Sequence, residues 1–408
     1  MYRIIAPPRD RAEELYDLVS KIFGGNGYFD FLRFCRQAYF EGATYDWAVS
    51  RVAEAEGRLV GHVGVWDHRI RIGRARLRTG GIGAVSTHPD HRRRGIAAKI
   101  FGALMPAMRQ AGYHLSMLGG IRDFYHRWGF AQAWPSTRII ADLAALPDAK
   151  CRLRVAKVAL TEALCGRGAV MRIYNRDNAT RTGTAARPIY TRGGMHWLRG
   201  ECRTLSDPAG RVRGYLVIRT EGDDLKVLEV GGLGRGCGVG ELLAAIRAIA
   251  RRARCRRVVV EGLSWAHPLC VALRAGTCRA ELNYTRSGGP MVAVVNLSAS
   301  LEALAGELAD RLRRSDTKAF RGALAVCGMG EKVTLRIAGG KVRVARSDGR
   351  LPAHRIVADR QVARLIIGSE PPSVLAAQGH VRFAGAGAEL AEALFPHQWP
   401  MRNALDGY

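Results

Sequence analysis

The stretch from Val85 to Ala111 constrains this chain more than any other. It begins VSTHPDHRRRGIA and continues as an apolar-periodic run that Gly112 stops. Arg76 to Thr87 reads as a strand, and Ile96 to Ala111 as an amphipathic helix. Between them stand Arg92, Arg93, Arg94 and Gly95, followed at once by Ile96 and Ala97. The first backbone N–H groups of a helix have no partner within it and carry partial positive charge. A strand that runs through an arginine-glycine turn into a helix can therefore hold a phosphate. Gly95 has no Cβ, so backbone can approach a ligand closely, and Ala97 keeps the next turn small. Arginine adds paired donors that match phosphate oxygens. The bland alternative is a basic loop that caps a helix.

The rest of the chain supplies the context. Its 408 residues exceed what one core usually holds, so about two to three domains are expected. Arg9 to Phe23 has helical apolar spacing. Trp47 to Ala55 and Leu59 to Ile72 read as strands with a turn at Glu56-Gly57, and Tyr113 to Leu118 reads as a short buried strand. Tyr125 to Phe130 ends in a Gly-Phe step before a strand near Arg138 to Leu143. A second segment repeats this order more faintly, with strands at Val212 to Thr220, Lys226 to Val230 and Val258 to Glu261. Its glycines at 232, 234, 236, 238 and 240 alternate, which excludes a dinucleotide-type G-x-G-x-x-G. A third segment has a helix at Leu301 to Arg313, hairpin signals at Gly339-Gly340 and Asp348-Gly349, and two further helical stretches.

Charge and cysteine usage narrow the class. The net charge is +27, and 8 of the 63 basic residues are lysine, which leaves 55 arginines. They spread along the chain instead of gathering in one arm, so a solvated surface accounts for them better than a nucleic-acid site does. Attraction for an anionic ligand remains a natural consequence. Nine cysteines occur without a C-x-x-C pair, an odd count that fits reduced thiols in a cytoplasm and gives no metal-site spacing. No run of about 18 apolar residues is present, and MYRIIAPPRDRAEEL lacks a secretory pattern, so no membrane partner is expected.

The order of these features resembles the GNAT superfamily of acetyl-CoA-dependent N-acetyltransferases. The shared marks are R-x-x-G-x-A at Arg92 to Ala97 and Y-x-x-x-G-F at Tyr125 to Phe130. PDHRRRG at 89 to 95, RIYNRDNATRTGTAARP at 172 to 188 and the ending HQWPMRNALDGY extend the likeness to the Eis (enhanced intracellular survival) type. The resemblance implies an α/β (α+β) fold: tandem GNAT domains, each a mixed central sheet flanked by helices, followed by a sterol-carrier-like α+β domain. The implied division is a catalytic domain at 1–145, a degenerate GNAT-like domain at 146–296 and the sterol-carrier-like domain at 297–408. The middle segment lacks R-x-x-G-x-A, so no cofactor is assigned to it.

The same resemblance implies acetyl transfer from acetyl-CoA to a primary amine without a metal. Arg92, Arg93, Arg94, Gly95, Ile96 and Ala97 would hold the CoA pyrophosphate. Backbone groups at Val85, Ser86 and Thr87 would meet the acetyl carbonyl and the pantetheine arm. Tyr125 is the expected general acid, since a phenol stays protonated at neutral pH and can donate to a departing thiolate. The expected base is the terminal carboxylate at Tyr408. The family often has an acidic residue just before its terminal aromatic, whereas this chain has Gly407 there and Asp406 one place further back. Phe29 and Asp30, in the aromatic-rich NGYFDFLRFCRQAYF, are expected to face an amine such as an aminoglycoside, a polyamine or a lysine. A homo-oligomer, in particular a hexamer, is also implied. The alternative is a GNAT-like scaffold that binds acyl-CoA or a partner without catalysis.

Overall fold

The computed structural model describes residues 1–41, 44–161, 168–188, 200–234, 236–284, 288–345, 351–403 and 405–406. Two units emerge, Met1–Ala133 with Thr285–Gln398, and Trp134–Tyr284 with Trp399–Gly407. The first unit opens with β1 (Arg3–Ile5), α1 (Ala12–Phe23) and α2 (Tyr28–Phe34), which continues as a π-helical turn at Cys35–Tyr39. β2 (Arg51–Ala55), β3 (Arg58–Ile72) and β4 (Ala75–Thr87) form an antiparallel meander. Glu56 and Gly57 turn the first hairpin with positive φ, the geometry that matches strand twist. The sequence puts a strand start at Trp47, but the strand itself begins at Arg51, because Asp46 caps a turn through the N–H groups of Ala48 and Val49.

α3 (Ile96–Gln110) follows β4 and packs on β2, β3 and β4. Its buried face is Ile96, Ile100, Phe101, Leu104, Ala107 and Met108, the helical spacing expected from sequence. Each large side chain on that face contributes on the order of 1.5–3 kcal/mol by leaving water. β5 (Leu115–Gly120) then runs parallel to β4, and the short β6 (Ala131–Gln132) follows.

The second unit contains β7 (Ser136–Asp142), β8 (Arg154–Val158), α4 (Ala169–Asp177), β9 (Glu201–Ser206), β10 (Val212–Glu221) and β11 (Asp224–Gly231). It continues with α5 (Val239–Arg252), β12 (Arg257–Glu261), α6 (Pro268–Arg274) and β13 (Arg279–Asn283). The chain then returns to the first unit with β14 (Gly289–Val294). The last part carries α7 (Leu297–Arg313), β15 (Gly322–Gly328), β16 (Glu331–Ala338), β17 (Lys341–Ala345) and β18 (His354–Val357). α8 (Val362–Ile367), α9 (Pro372–Ala377), β19 (Arg382–Ala384) and α10 (Gly387–Leu394) complete it. β16 and β17 turn at Gly339-Gly340 as expected, while Asp348-Gly349 lies outside the described residues.

The strand orders show the internal repeat. The first sheet runs β1-β2-β3-β4-β5-β14-β6 and the second β8-β9-β10-β11-β12-β7-β13. Each is antiparallel over its first four strands, parallel at the fourth and fifth, and antiparallel again beyond them. The sixth place is filled in both sheets by a strand from outside the unit's main run, β14 in the first and β7 in the second. β7 and β14 therefore fall on the other side of the expected boundaries at 145/146 and 296/297. Hydropathy reports that these runs are buried strands, but not which sheet completes its ladder with them. A third sheet, β17-β16-β15-β18-β19, is flanked by the helices of the last segment. Tandem mixed α/β sheets with helices on them are thus the architecture.

Candidate active site

The first sheet is split at its centre. β4 and β5 pair over three positions, Thr79 with Leu115, Gly80 with Ser116 and Gly81 with Met117. Beyond Gly81, β4 continues to Thr87 and β5 to Gly120 without pairing to each other. A gap opens between the C-terminal ends of two parallel strands, the usual place for a ligand in such sheets.

A bulge sets what β4 presents to that gap. Gly64 pairs with Gly83 and His62 with Ser86, so one extra residue is inserted in β4. Ala84 takes it up with φ +47, rare for a residue with a Cβ. Past the bulge, the His88 N–H bonds the Val60 carbonyl on the β3 side. Peptide groups alternate along a strand. Ser86 and His88 face β3, so Val85 and Thr87 present their N–H groups to the gap. Without the inserted residue, Val85 would face β3 instead.

The turn after β4 faces the same end. Arg93 and Gly95 have φ of +61 and +72, and Arg92 is extended; left-handed positions of this kind occur in anion-binding backbone turns. Gly95 caps α3, with no side-chain cap bond and no acidic residue in the first helical turn. Those amides are left for solvent or a ligand. Nothing lies within 4 Å of where a Gly95 Cβ would sit. Arg92, Arg93 and Arg94 are exposed, Ile96 is buried beneath them and Ala97 is half-buried. Tyr2, just before β1, braces the turn: its hydroxyl meets His91 at 3.2 Å and Arg94 at 3.5 Å, and Lys99 lies over its ring. Sequence reasoning missed Tyr2, which no spacing links to residue 94.

Tyr125 lies in a 3-10 turn, Tyr125–Trp128, that Gly129 closes in the left-handed region. Its ring packs on Phe101, Phe124, Trp128 and Phe130, and Phe101 stacks on Trp128 at 4.2 Å. Tyr125 also lies against Gly120, the end of β5. The helix that carries the arginine turn thus also seats the tyrosine at the far lip of the gap. Burial raises the Tyr125 pKa above the ordinary phenol value, so the hydroxyl keeps its proton at neutral pH.

The expected substrate residues stand on α2. Phe29 is 81% exposed on α2 and packs edge-on against Tyr28. Asp30 is exposed and paired with Arg33 at 2.6 Å. What the aromatic stretch delivers to β4 is Tyr39, whose hydroxyl lies beside Gly83. Tyr408 lies outside the described residues.

The second unit has the same strand pattern with different contents. β11 pairs in parallel with β12 from Asp224 to Val227, and its register against β10 breaks at the next residue. Glu229, just past the break, is fully buried and ion-paired with Arg187, which also reaches Asp406. Tyr215 donates to Glu229, and Tyr174 to Asp406. The Gly232 and Leu233 N–H groups are taken by the Asp177 carboxylate. Glu241 stands in the first turn of α5, where an acid opposes a phosphate. Among the described residues no group of His, Cys, Asp and Glu is arranged to hold a metal ion, and no helix is long and apolar enough to cross a membrane.

Residues 3–133 match the acetyltransferase (GNAT) domain family. This part of the chain carries an acetyltransferase domain of the GNAT type. Solved structures agree over the whole length. A GCN5-related N-acetyltransferase from Anabaena variabilis superposes with a TM-score of 0.77 at 16% identity, covering 100% of both chains. One from Kribbella flavida gives 0.74 at 17%, covering 100% of this chain and 98% of the other. Eis1 from Mycobacterium abscessus gives 0.69 at 16%, with 100% of both covered. At such identities the likeness is one of fold. No curated protein matches the sequence. The GNAT fold is one that takes an acyl-CoA, and the split at β4 and β5 lies within the matched residues.

Proposed function

We propose that the protein transfers an acetyl group from acetyl-CoA to a primary amine, using the gap between β4 and β5 of the GNAT domain. The observation that carries this reading is the bulge at Ala84, which turns the Val85 N–H into a gap flanked by the arginine turn and Tyr125. The α3 amides, uncapped by any side chain, with Arg92 to Arg94 around them, suit the pyrophosphate of CoA. In the proposed reaction the amine nitrogen attacks the thioester carbon. A C–N bond forms as the C–S bond breaks. The Val85 N–H stabilises the oxygen as it becomes anionic. Tyr125 gives its proton to the leaving thiolate.

The amine must give up a proton. We assign this to the terminal carboxylate at Tyr408, on the likeness of HQWPMRNALDGY to Eis-type endings. For the acceptor we retain an aminoglycoside, a polyamine or a lysine side chain. Since Asp30 is paired with Arg33, the anionic contact to that amine is better sought in the terminal carboxylate. The likeness to Eis-type enzymes also supports a homo-oligomer, and it favours reading the sheet β15 to β19 with its helices as the sterol-carrier-like domain.

A panel of primary amines assayed for CoA thiol release from acetyl-CoA tests the reading. Amine-dependent release is expected for at least one cationic amine. Binding of acetyl-CoA with no release across polyamines, lysine peptides and aminoglycosides would favour a non-catalytic scaffold.

A further inference from the structure

Ala84 holds an unfavourable conformation, and two side chains, those of His62 and Ser86, meet its carbonyl. A non-glycine residue at positive φ persists where its surroundings over-determine it. The Ala84 carbonyl is met by His62 Nδ1 at 2.9 Å and by the Ser86 hydroxyl at 3.2 Å. A carbonyl only accepts, so Nδ1 carries the imidazole proton. Nε2 must then accept, and the Tyr45 hydroxyl donates to it at 2.8 Å. His62 is fully buried and Tyr45 nearly so. Burial drives the His62 pKa down to about 4, which keeps the ring neutral and this tautomer in place.

We propose that His62, locked by Tyr45, is a positioning residue for acyl transfer: its Nδ1–H fixes the Ala84 bulge that aims the Val85 N–H at the thioester oxygen. The inference rests on the Val85 reading above. Buried histidines generally pair their nitrogens, so what distinguishes His62 is the partner it pairs with. This one has both nitrogens matched, one of them to the carbonyl of the strained residue. His62 touches no reacting atom, so its effect passes through the direction of one peptide group.

The test is the infrared carbonyl stretch of isotope-labelled acetyl-CoA bound to the full-length protein. In the wild type, a hydrogen bond from Val85 lowers the stretch relative to acetyl-CoA in water. His62→Gln can still accept from Tyr45 but has no donor where Nδ1 stood. It is expected to lose most of that downshift and about a hundredfold in kcat, as for removal of one oxyanion donor. Acetyl-CoA affinity should change little, because the phosphate turn is untouched. His62→Asn places an amide N–H near the Nδ1 position and is expected to restore much of the downshift and of kcat. Tyr45→Phe keeps the ring, frees the tautomer and is expected to give an intermediate loss. An undiminished downshift in folded His62→Gln overturns the proposal. If His62→Gln does not fold, an undiminished downshift in Tyr45→Phe overturns it equally. Absence of any downshift in the wild type is a different result: it removes the Val85 reading itself, and this inference with it.

Discussion

Replacing Gly95 separates ligand recognition from folding. At φ +72 with open space beyond the Cα, a new side chain clashes with nothing and meets only backbone strain. That strain is about 1–2 kcal/mol for most residues and less for Asn and Asp, which tolerate the left-handed region. Gly95→Asn and Gly95→Asp should therefore fold alike, and they differ by one charge. A carboxylate about 5 Å from each of two phosphate charges costs about 1.7 kcal/mol at the dielectric of water, and about twice that halfway to a protein-like value. The turn is exposed, so the lower part of that range applies, about 1.7–2.5 kcal/mol or roughly 20- to 70-fold in affinity. Calorimetric titration with CoA compares the two variants directly, and raising the salt should shrink the gap between them. Equal affinities for CoA would refute the phosphate assignment, because only the charge at the turn has changed.

Four further outcomes can be measured. Tyr125→Phe keeps the packing on Phe101 and Trp128 and should lower kcat by about 10² to 10⁴ with CoA affinity preserved; near wild-type turnover would make Tyr125 a packing residue. Because burial raises the Tyr125 pKa, its protonated form extends above the ordinary phenol range, so loss of kcat through this group should begin above about pH 10, as blank-corrected pH profiles will show. Arg187→Met leaves Glu229 and Asp406 buried without their partner, at a cost of about 3–5 kcal/mol. Amide hydrogen exchange in β10 and β11 should then quicken at least a hundredfold or so, and unchanged exchange would contradict that. Extending the chain a few residues beyond Tyr408 should cut turnover at least about tenfold and spare CoA binding, whereas equal turnover would assign the base elsewhere.

The parts of the site within a short span of chain were legible in the sequence. Val85 to Ala97 is a strand, a turn and a helix start in succession, and each has its own local signal: β-branched residues, an arginine-glycine turn and apolar helical spacing. Tyr125 to Phe130 likewise announces a turn through Gly129. What escaped is carried by pairing between distant strands. The bulge at Ala84 has no local mark, since alanine is not a residue that signals positive φ, and its carbonyl is met by His62 from the neighbouring strand. His62 itself sits in a long apolar strand and reads there as one buried polar residue among many. The sixth strand of each sheet escaped for the same reason: burial is encoded along the chain, but the partner is not. Phe29 and Asp30 stand exposed on α2, and Arg33, one turn on, pairs with that carboxylate, a competition the aromatic pattern does not signal.

The central claim is that the split between β4 and β5 takes acyl-CoA, whereas the corresponding place in the second sheet, where Arg187 pairs with Glu229 and Asp177 takes the Gly232 and Leu233 amides, does not. Isothermal titration of the full-length wild type with acetyl-CoA tests it most directly through the number of sites. The account predicts one site per chain, displaced by CoA and strongly weakened in Gly95→Asp. Two equivalent sites per chain, or a single site that Gly95→Asp leaves intact, would contradict it.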